Sequence, residues 1–116
     1  MEPSAQLYVN PACSKCRTAR AILDEQGITA EEVRYLDRPP SVDELEDLMA
    51  RLGIGDPRQM MRTGEPVYTE LGLEGASAAV LLDAISRHPI LLERPIFVVG
   101  ARAVVARPPE RLLELI

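Results

Sequence analysis

Leu7-Tyr8-Val9-Asn10-Pro11-Ala12-Cys13-Ser14-Lys15-Cys16-Arg17 carries both cysteines of the chain. Leu7 to Val9 is a short apolar run and reads as a strand. Asn10-Pro11 reads as a turn, because proline fixes φ and disfavours the helical region for the residue before it. From Ser14 onward the composition turns helical through Lys15, Arg17, Ala19, Arg20, Ala21, Ile22 and Leu23. Cys13 therefore falls where a strand has ended and a helix begins. Unpaired backbone N–H groups and the positive end of the helix dipole gather at such a junction. Both favour a thiolate over a thiol, and both favour a bound anion. Lys15 and Arg17 add positive charge. Cys13 and Cys16 lie three residues apart, on one face of a first helical turn. A Cys-x-x-Cys pair in that position reads as a redox motif, although two ordinary, partly buried thiols have the same spelling. A zinc site is disfavoured, since structural zinc takes four ligands and the chain offers two Cys and the single His88.

The remainder of the composition narrows the function classes. The chain has 116 residues, of which 47% are hydrophobic and 27% charged, with a net charge of −5. That length suits one domain, expected to span 1–116. The acidic balance argues against non-specific binding to nucleic acid or to an anionic membrane, so any anion site has to be built locally from a few arginines and helix ends. No apolar run approaches the length of a membrane span, and no signal peptide is expected at the start. Two closely spaced cysteines are not the disulfide framework of a secreted fold. A cytoplasmic protein with reduced, cycling cysteines is expected.

Outward from the motif, 16–26 is expected as the first helix, with Ala19, Ile22 and Leu23 on one face and Gly27 as its stop. Glu31 to Leu36 reads as a second strand, completing a right-handed βαβ unit with parallel strands. Asp37-Arg38-Pro39-Pro40 is a stiff connector. Ser41 with Glu44 forms a capping box, and Val42, Leu45, Leu48, Met49 and Leu52 have the spacing of an amphipathic helix. A short helical piece follows Asp56-Pro57, a short helix is open around Tyr68 to Leu71, and a clear helix covers Ser77 to Arg87, with Ala78, Leu81, Leu82 and Ile85 inward. Ile96-Phe97-Val98-Val99 and Ala103-Val104-Val105-Ala106 read as a hairpin. A last helix is expected at Glu110 to Ile116, after Arg107-Pro108-Pro109. The order is β-α-β, a helical block at about 41–88, then β-β-α: an α/β domain with a four-stranded mixed sheet and a helical insertion between strands 2 and 3.

A Cys-x-x-Cys after the first strand, this element order and Arg94-Pro95 before the third strand resemble the thioredoxin fold. More narrowly, the chain resembles the glutaredoxin-linked arsenate reductases of the ArsC family. The matching segments are Tyr8-Val9-Asn10-Pro11-Ala12-Cys13, Tyr35-Leu36-Asp37-Arg38-Pro39-Pro40, Glu70-Leu71-Gly72-Leu73, His88-Pro89-Ile90-Leu91, Arg94-Pro95-Ile96 and Arg107-Pro108. The resemblance implies a cis Arg94–Pro95 bond facing the cysteine site. It also implies a nucleophilic Cys13 with three catalytic arginines, Arg62, Arg94 and Arg107, and support from Asn10, Ser14, Lys15, Arg17 and Pro95. The implied substrate is arsenate, released as arsenite in arsenic detoxification. No bound cofactor or metal is implied. The electron donor would be glutathione with glutaredoxin, or thioredoxin.

Two departures from the family pattern matter. Val9 stands where many members carry His, which removes one aid to ionising Cys13. Cys16 stands where the best-known branch has Ser, which makes Cys16 a possible resolving thiol. Two other readings remain open at this level: a redox-switch transcriptional regulator resembling the Spx proteins, and a general thiol–disulfide reductase. The regulator needs no oxyanion site, whereas Arg62, Arg94 and Arg107 together suit one; the general reductase would be excluded by arsenate-dependent turnover.

Overall fold

Four short strands form one sheet in the order β2-β1-β3-β4, in a computed structural model that describes residues 5–116. The strands are β1 (Ala5–Tyr8), β2 (Glu31–Val33), β3 (Ile96–Val99) and β4 (Arg102–Val105). β1 runs parallel to β2, with Tyr8 opposite Val33. It is antiparallel to β3, with Leu7 opposite Phe97. β3 and β4 form the expected hairpin, with Phe97 opposite Val104. The sheet is therefore mixed. The strands belong to one compact unit, made of the chain up to Tyr35 together with Arg94–Ile116; the other unit is Leu36–Glu93.

In the first unit, helix α1 (Ser14–Glu25) and a C-terminal 3-10 helix (Pro109–Leu115) pack together, and the 3-10 helix also packs on β4. Alternation along β1 and the 3.6-residue period of α1 aim Leu7, Val9, Cys16, Ala19 and Leu23 at one core with Phe97, Val104, Ala106 and Leu112. Leu7, Leu23, Phe97 and Leu112 are fully buried, and each such side chain contributes roughly 1.5–3 kcal/mol of transfer free energy. Cys16 belongs to this core, and Cys13 packs at its margin.

Several boundaries differ from expectation, and β1 and β4 both begin and end earlier than Leu7–Val9 and Ala103–Ala106. α1 begins at Ser14, not at residue 16, because Cys13 itself takes the cap position, with extended backbone (φ −87°, ψ 123°). β2 stops at Val33, short of Leu36; the Tyr35 amide turns back to the Val33 carbonyl at 3.0 Å. The last helix is 3-10 and starts at Pro109, a first-turn position where the missing proline N–H costs nothing. The Arg94–Pro95 bond is cis, as the resemblance implied, and Arg107–Pro108 is cis as well.

The second unit holds α2 (Val42–Leu52), α3 (Pro66–Glu70) and α4 (Ala78–Arg87). The Ser41–Glu44 capping box forms in both directions, and Gly53 ends α2 in the left-handed conformation (φ 70°), which glycine adopts at little cost. α2 packs on α4 through Leu45, Leu48, Leu81, Leu82, Ala84 and Ile85. Ala78, expected inward, is exposed, and Ala84 takes an inward place. α3 starts two residues before the segment left open around Tyr68, again with proline at its first position. Asp56 and Gln59 form a second capping box ahead of a 3-10 turn at Pro57–Met60. Among the described residues, no helix is long and apolar enough to cross a membrane, and no group of three or more His, Cys, Asp or Glu could hold a metal ion.

Candidate active site

Cys13 owes its position to the turn that precedes it. The Asn10 side-chain oxygen accepts the Ala12 N–H at 3.0 Å, and the Cys13 N–H donates to the Asn10 carbonyl at 2.8 Å. This Asx-type turn delivers Cys13 to the start of α1, where its carbonyl accepts the Arg17 N–H at 3.2 Å. No side chain caps the helix, so the amides of the first turn remain available to the sulfur.

The two thiols are driven apart in acidity. Burial opposes ionisation of Cys13, but the Cys16 amide, the Arg94 side chain, the Cys16 thiol and the Lys15 amide outweigh it and bring Cys13 down to about 7. Burial pushes Cys16 up to about 11, aided by its hydrogen bond to Cys13 and by the Cys13 charge, while the Asn10 backbone and the charge of Arg94 pull the other way. Near neutral pH a large share of Cys13 is thus thiolate, while Cys16 stays protonated beside it. The thiolate is the reacting form, so Cys13 reactivity should rise with pH through about 7. Iodoacetamide alkylation of Cys13, followed by mass spectrometry across pH, should show that midpoint. Arg94→Ala should move it upward. A midpoint in the ordinary thiol range for the unaltered protein would refute the electrostatic account.

Arg94 directs its guanidinium at the Cys13 sulfur and at the Tyr35 hydroxyl. Burial works against its charge, but those two groups more than compensate and hold it firmly cationic. Its Nε is buried and without a hydrogen-bond partner. Tyr35 is fully buried and helps hold Arg94 cationic, a role its sequence context does not announce. Arg107 donates from an Nη to the Arg94 carbonyl at 2.9 Å, and the buried Pro95 accepts the Ala106 N–H through its carbonyl at 2.9 Å. Cys13, Cys16, Arg94, Pro95, Arg107 and Tyr35 all belong to the first unit.

The other expected residues stand as follows. Ser14 opens α1, and its carbonyl accepts the Thr18 hydroxyl at 3.1 Å. Lys15 and Arg17 are exposed on the first turns of α1. Arg62 lies in the second unit, where its Nε is paired with Glu65 at 3.0 Å, both side chains being mostly covered. Its backbone is fixed by an N–H donated to the Leu91 carbonyl at 2.7 Å.

The second unit also contains an arginine that the sequence reading passed over. Arg58 donates from Nε to the Tyr68 hydroxyl at 3.0 Å. One Nη reaches the carbonyls of Leu73 at 2.8 Å, Glu74 at 2.8 Å and Ala76 at 3.1 Å. It ties α3 and the following 3-10 turn to the segment after Asp56, and its partners are structural.

Comparison with known proteins agrees with this fold. The ArsC family model matches residues 8–115. An arsenate reductase of Neisseria meningitidis serogroup A is 46% identical over 112 residues, covering 95% of this chain and 96% of that protein. An arsenate reductase of Haemophilus influenzae is 44% identical over 115 residues, covering 97% and 99%. The solved structure of an arsenate reductase from Vibrio cholerae superposes with a TM-score of 0.95 at 42% identity over the full length of both chains. With its four-stranded mixed sheet, its cysteine at the head of α1 and this agreement along almost its whole length, the chain belongs to the ArsC family.

Proposed function

We propose that the protein is a cytoplasmic arsenate reductase with Cys13 as nucleophile. The observation that carries this reading is the thiolate of Cys13, held near neutral pKa beside the cationic Arg94 at the head of a helix. A helix start and a guanidinium both suit a tetrahedral oxyanion, and the family relatives named as arsenate reductases support the choice of arsenate.

In this scheme Arg94 and Arg107 hold the arsenate dianion, and Arg62 joins them by resemblance. The Cys13 thiolate attacks arsenic(V) and an arsenic oxygen leaves as water, giving a Cys13–S–As(V) adduct. A second thiol then supplies the other sulfur of a disulfide. The S–As bond breaks and its electron pair stays on arsenic, which leaves as arsenite. Two thiols are oxidised and arsenic gains the two electrons. Arginine charge stabilises the anionic transition state.

Cys16 is the intramolecular candidate for the second thiol. Its hydrogen bond to Cys13 and the Cys13 charge both raise its pKa, and both effects fall away once Cys13 is esterified to arsenic. Cys16 thus becomes easier to ionise at the step that needs it. Glutathione is the alternative source of that sulfur. Reducing power comes from glutathione and glutaredoxin or from thioredoxin, with no bound cofactor and no membrane or nucleic-acid partner.

The direct test is arsenate-dependent NADPH oxidation, run with glutathione and glutaredoxin and, separately, with thioredoxin and its reductase. Turnover in either supports the assignment. Silence in both, with folded and reduced protein, would return the chain to the redox-regulator reading. Cys16→Ser should stop thioredoxin-coupled turnover, because the intramolecular disulfide is lost, and should leave glutathione able to resolve the adduct. Full thioredoxin-coupled activity in that variant would remove Cys16 from the mechanism.

A further inference from the structure

The backbone at Arg62 is pinned on both sides. The Arg62 N–H donates to the Leu91 carbonyl at 2.7 Å, and the Glu93 N–H donates to the Met60 carbonyl at 2.9 Å. Between these bonds Met61 pairs with Leu92 in an antiparallel bridge. The chain then turns, and the Glu65 N–H donates to the Arg62 carbonyl at 3.1 Å. That turn returns the Glu65 side chain to the guanidinium, where Oε1 accepts the Arg62 Nε–H at 3.0 Å. The two side chains are only 24% and 20% exposed, so the pair is shielded from much of the solvent screening that weakens surface pairs. All of these residues belong to the second unit.

Glu65 stands at the cap position of α3, yet its side chain makes no cap hydrogen bond. Capping favours Ser, Thr, Asp or Asn, so helix capping does not account for a glutamate here. Its backbone is supported: the Tyr68 N–H donates to the Glu65 carbonyl at 3.0 Å, and Arg58 donates to the Tyr68 hydroxyl at 3.0 Å. The carboxylate therefore stands on a fixed base. Neither Nη of Arg62 makes a hydrogen bond among the described residues. That Nη pair is the end of a guanidinium fork that fits two oxygens of a tetrahedral oxyanion.

We propose that Glu65 is a positioning residue for oxyanion binding: it clamps Arg62 at Nε and leaves the Nη pair open to the oxygens of the anion. The inference rests on the reading that Arg62 holds the oxyanion substrate. Two effects of Glu65 oppose each other. Its charge repels an incoming anion. Its clamp orders a long, rotamer-rich side chain in advance, which removes that ordering cost from binding. A carboxylate that merely competed for Arg62 would show only the first effect, and its removal would strengthen anion binding. A clamp shows the second, and it depends on an acceptor of the right reach at position 65.

The test titrates inorganic phosphate, a tetrahedral oxyanion that thiols do not reduce, into the reduced full chain and follows binding by NMR. Glu65→Gln and Glu65→Ala both remove the charge, but only alanine removes the acceptor. Kd should be about tenfold higher in Glu65→Ala than in Glu65→Gln, the scale of ordering one long side chain on binding. Glu65→Gln should bind at least as tightly as the unaltered protein. Glu65→Asp keeps the charge and suits a helix cap, but it shortens the reach to Arg62, so it should bind more weakly while remaining folded. In an Arg62→Ala background the Gln and Ala substitutions should give the same Kd, because no guanidinium is left to clamp. Glu70→Gln, which removes an exposed charge from α3, should keep the original Kd. The proposal is overturned by equal Kd for Glu65→Gln and Glu65→Ala, or by tighter binding in Glu65→Ala than in the unaltered protein. Unchanged binding by Glu65→Asp, a Gln–Ala difference that persists without Arg62, or absence of saturable binding overturns it equally. Arsenate turnover measured on the same preparations separates the two ideas. Turnover with equal Kd for Glu65→Gln and Glu65→Ala refutes the clamp alone. The expected Kd difference without turnover supports the clamp and refutes the arsenate reading.

Discussion

Cys13→Ser should reduce arsenate turnover to background, a loss of more than about a thousandfold, as expected when the nucleophile of a covalent mechanism is removed. A serine hydroxyl at the same place meets the same helix start and the same arginine, but it stays protonated near neutral pH and forms no sulfur–arsenic bond. The variant also separates binding from chemistry. Cys13 lies at the margin of the core, not within it, so the protein should remain folded and retain the oxyanion. The check is coupled arsenate reduction with both donor systems, alongside arsenate binding by the folded variant. Undiminished turnover would remove Cys13 from the reaction altogether.

Arg94→Ala should lower kcat/KM for arsenate by about 10²–10³-fold, the usual cost of removing one preorganised donor from a developing anion. The effect has two sources that can be measured apart. Loss of the guanidinium weakens the oxyanion site, and it also removes one of the interactions that lower the Cys13 pKa. Part of the lost rate should therefore return at higher pH, where the thiolate forms without help, and part should not. Arg94→Lys restores the charge but not the fork, so it should recover the acidity of Cys13 better than the turnover. Arg102→Ala is the control, an exposed arginine on β4 with no place in the site. If Arg94→Ala behaves like Arg102→Ala, the oxyanion reading fails.

Local features of this fold are legible in the sequence because their partners are near in the chain. The Ser41–Glu44 box is one, and the Gly53 stop and the strand–turn–helix around Cys13 are others. Errors of boundary came from equally local physics that the composition hides. Ser14 extends α1 because Cys13 serves as its cap, and Val33 ends β2 because the Tyr35 amide folds back. What the sequence could not supply are contacts made across large separations. Arg58 meets carbonyls 15 to 18 residues further on, and nothing in its own neighbourhood distinguishes it from a surface charge. Arg94 reaches Cys13 across most of the chain, so only resemblance connected the two. Tyr35 lay inside a matching segment, yet its interaction with Arg94 was invisible. Arg20 on α1 meets Glu32 on β2 at 3.7 Å, a contact that depends on the parallel pairing of β1 with β2.

The short outer strands of the sheet also constrain how another protein can meet this one. β2 contributes three residues, two of them exposed glutamates, and β4 contributes four before the chain reaches Arg107-Pro108-Pro109. Neither margin offers a long run of free backbone donors and acceptors, and prolines and like charges discourage strand addition there. A protein partner is therefore expected to engage loops and side chains rather than to extend the sheet.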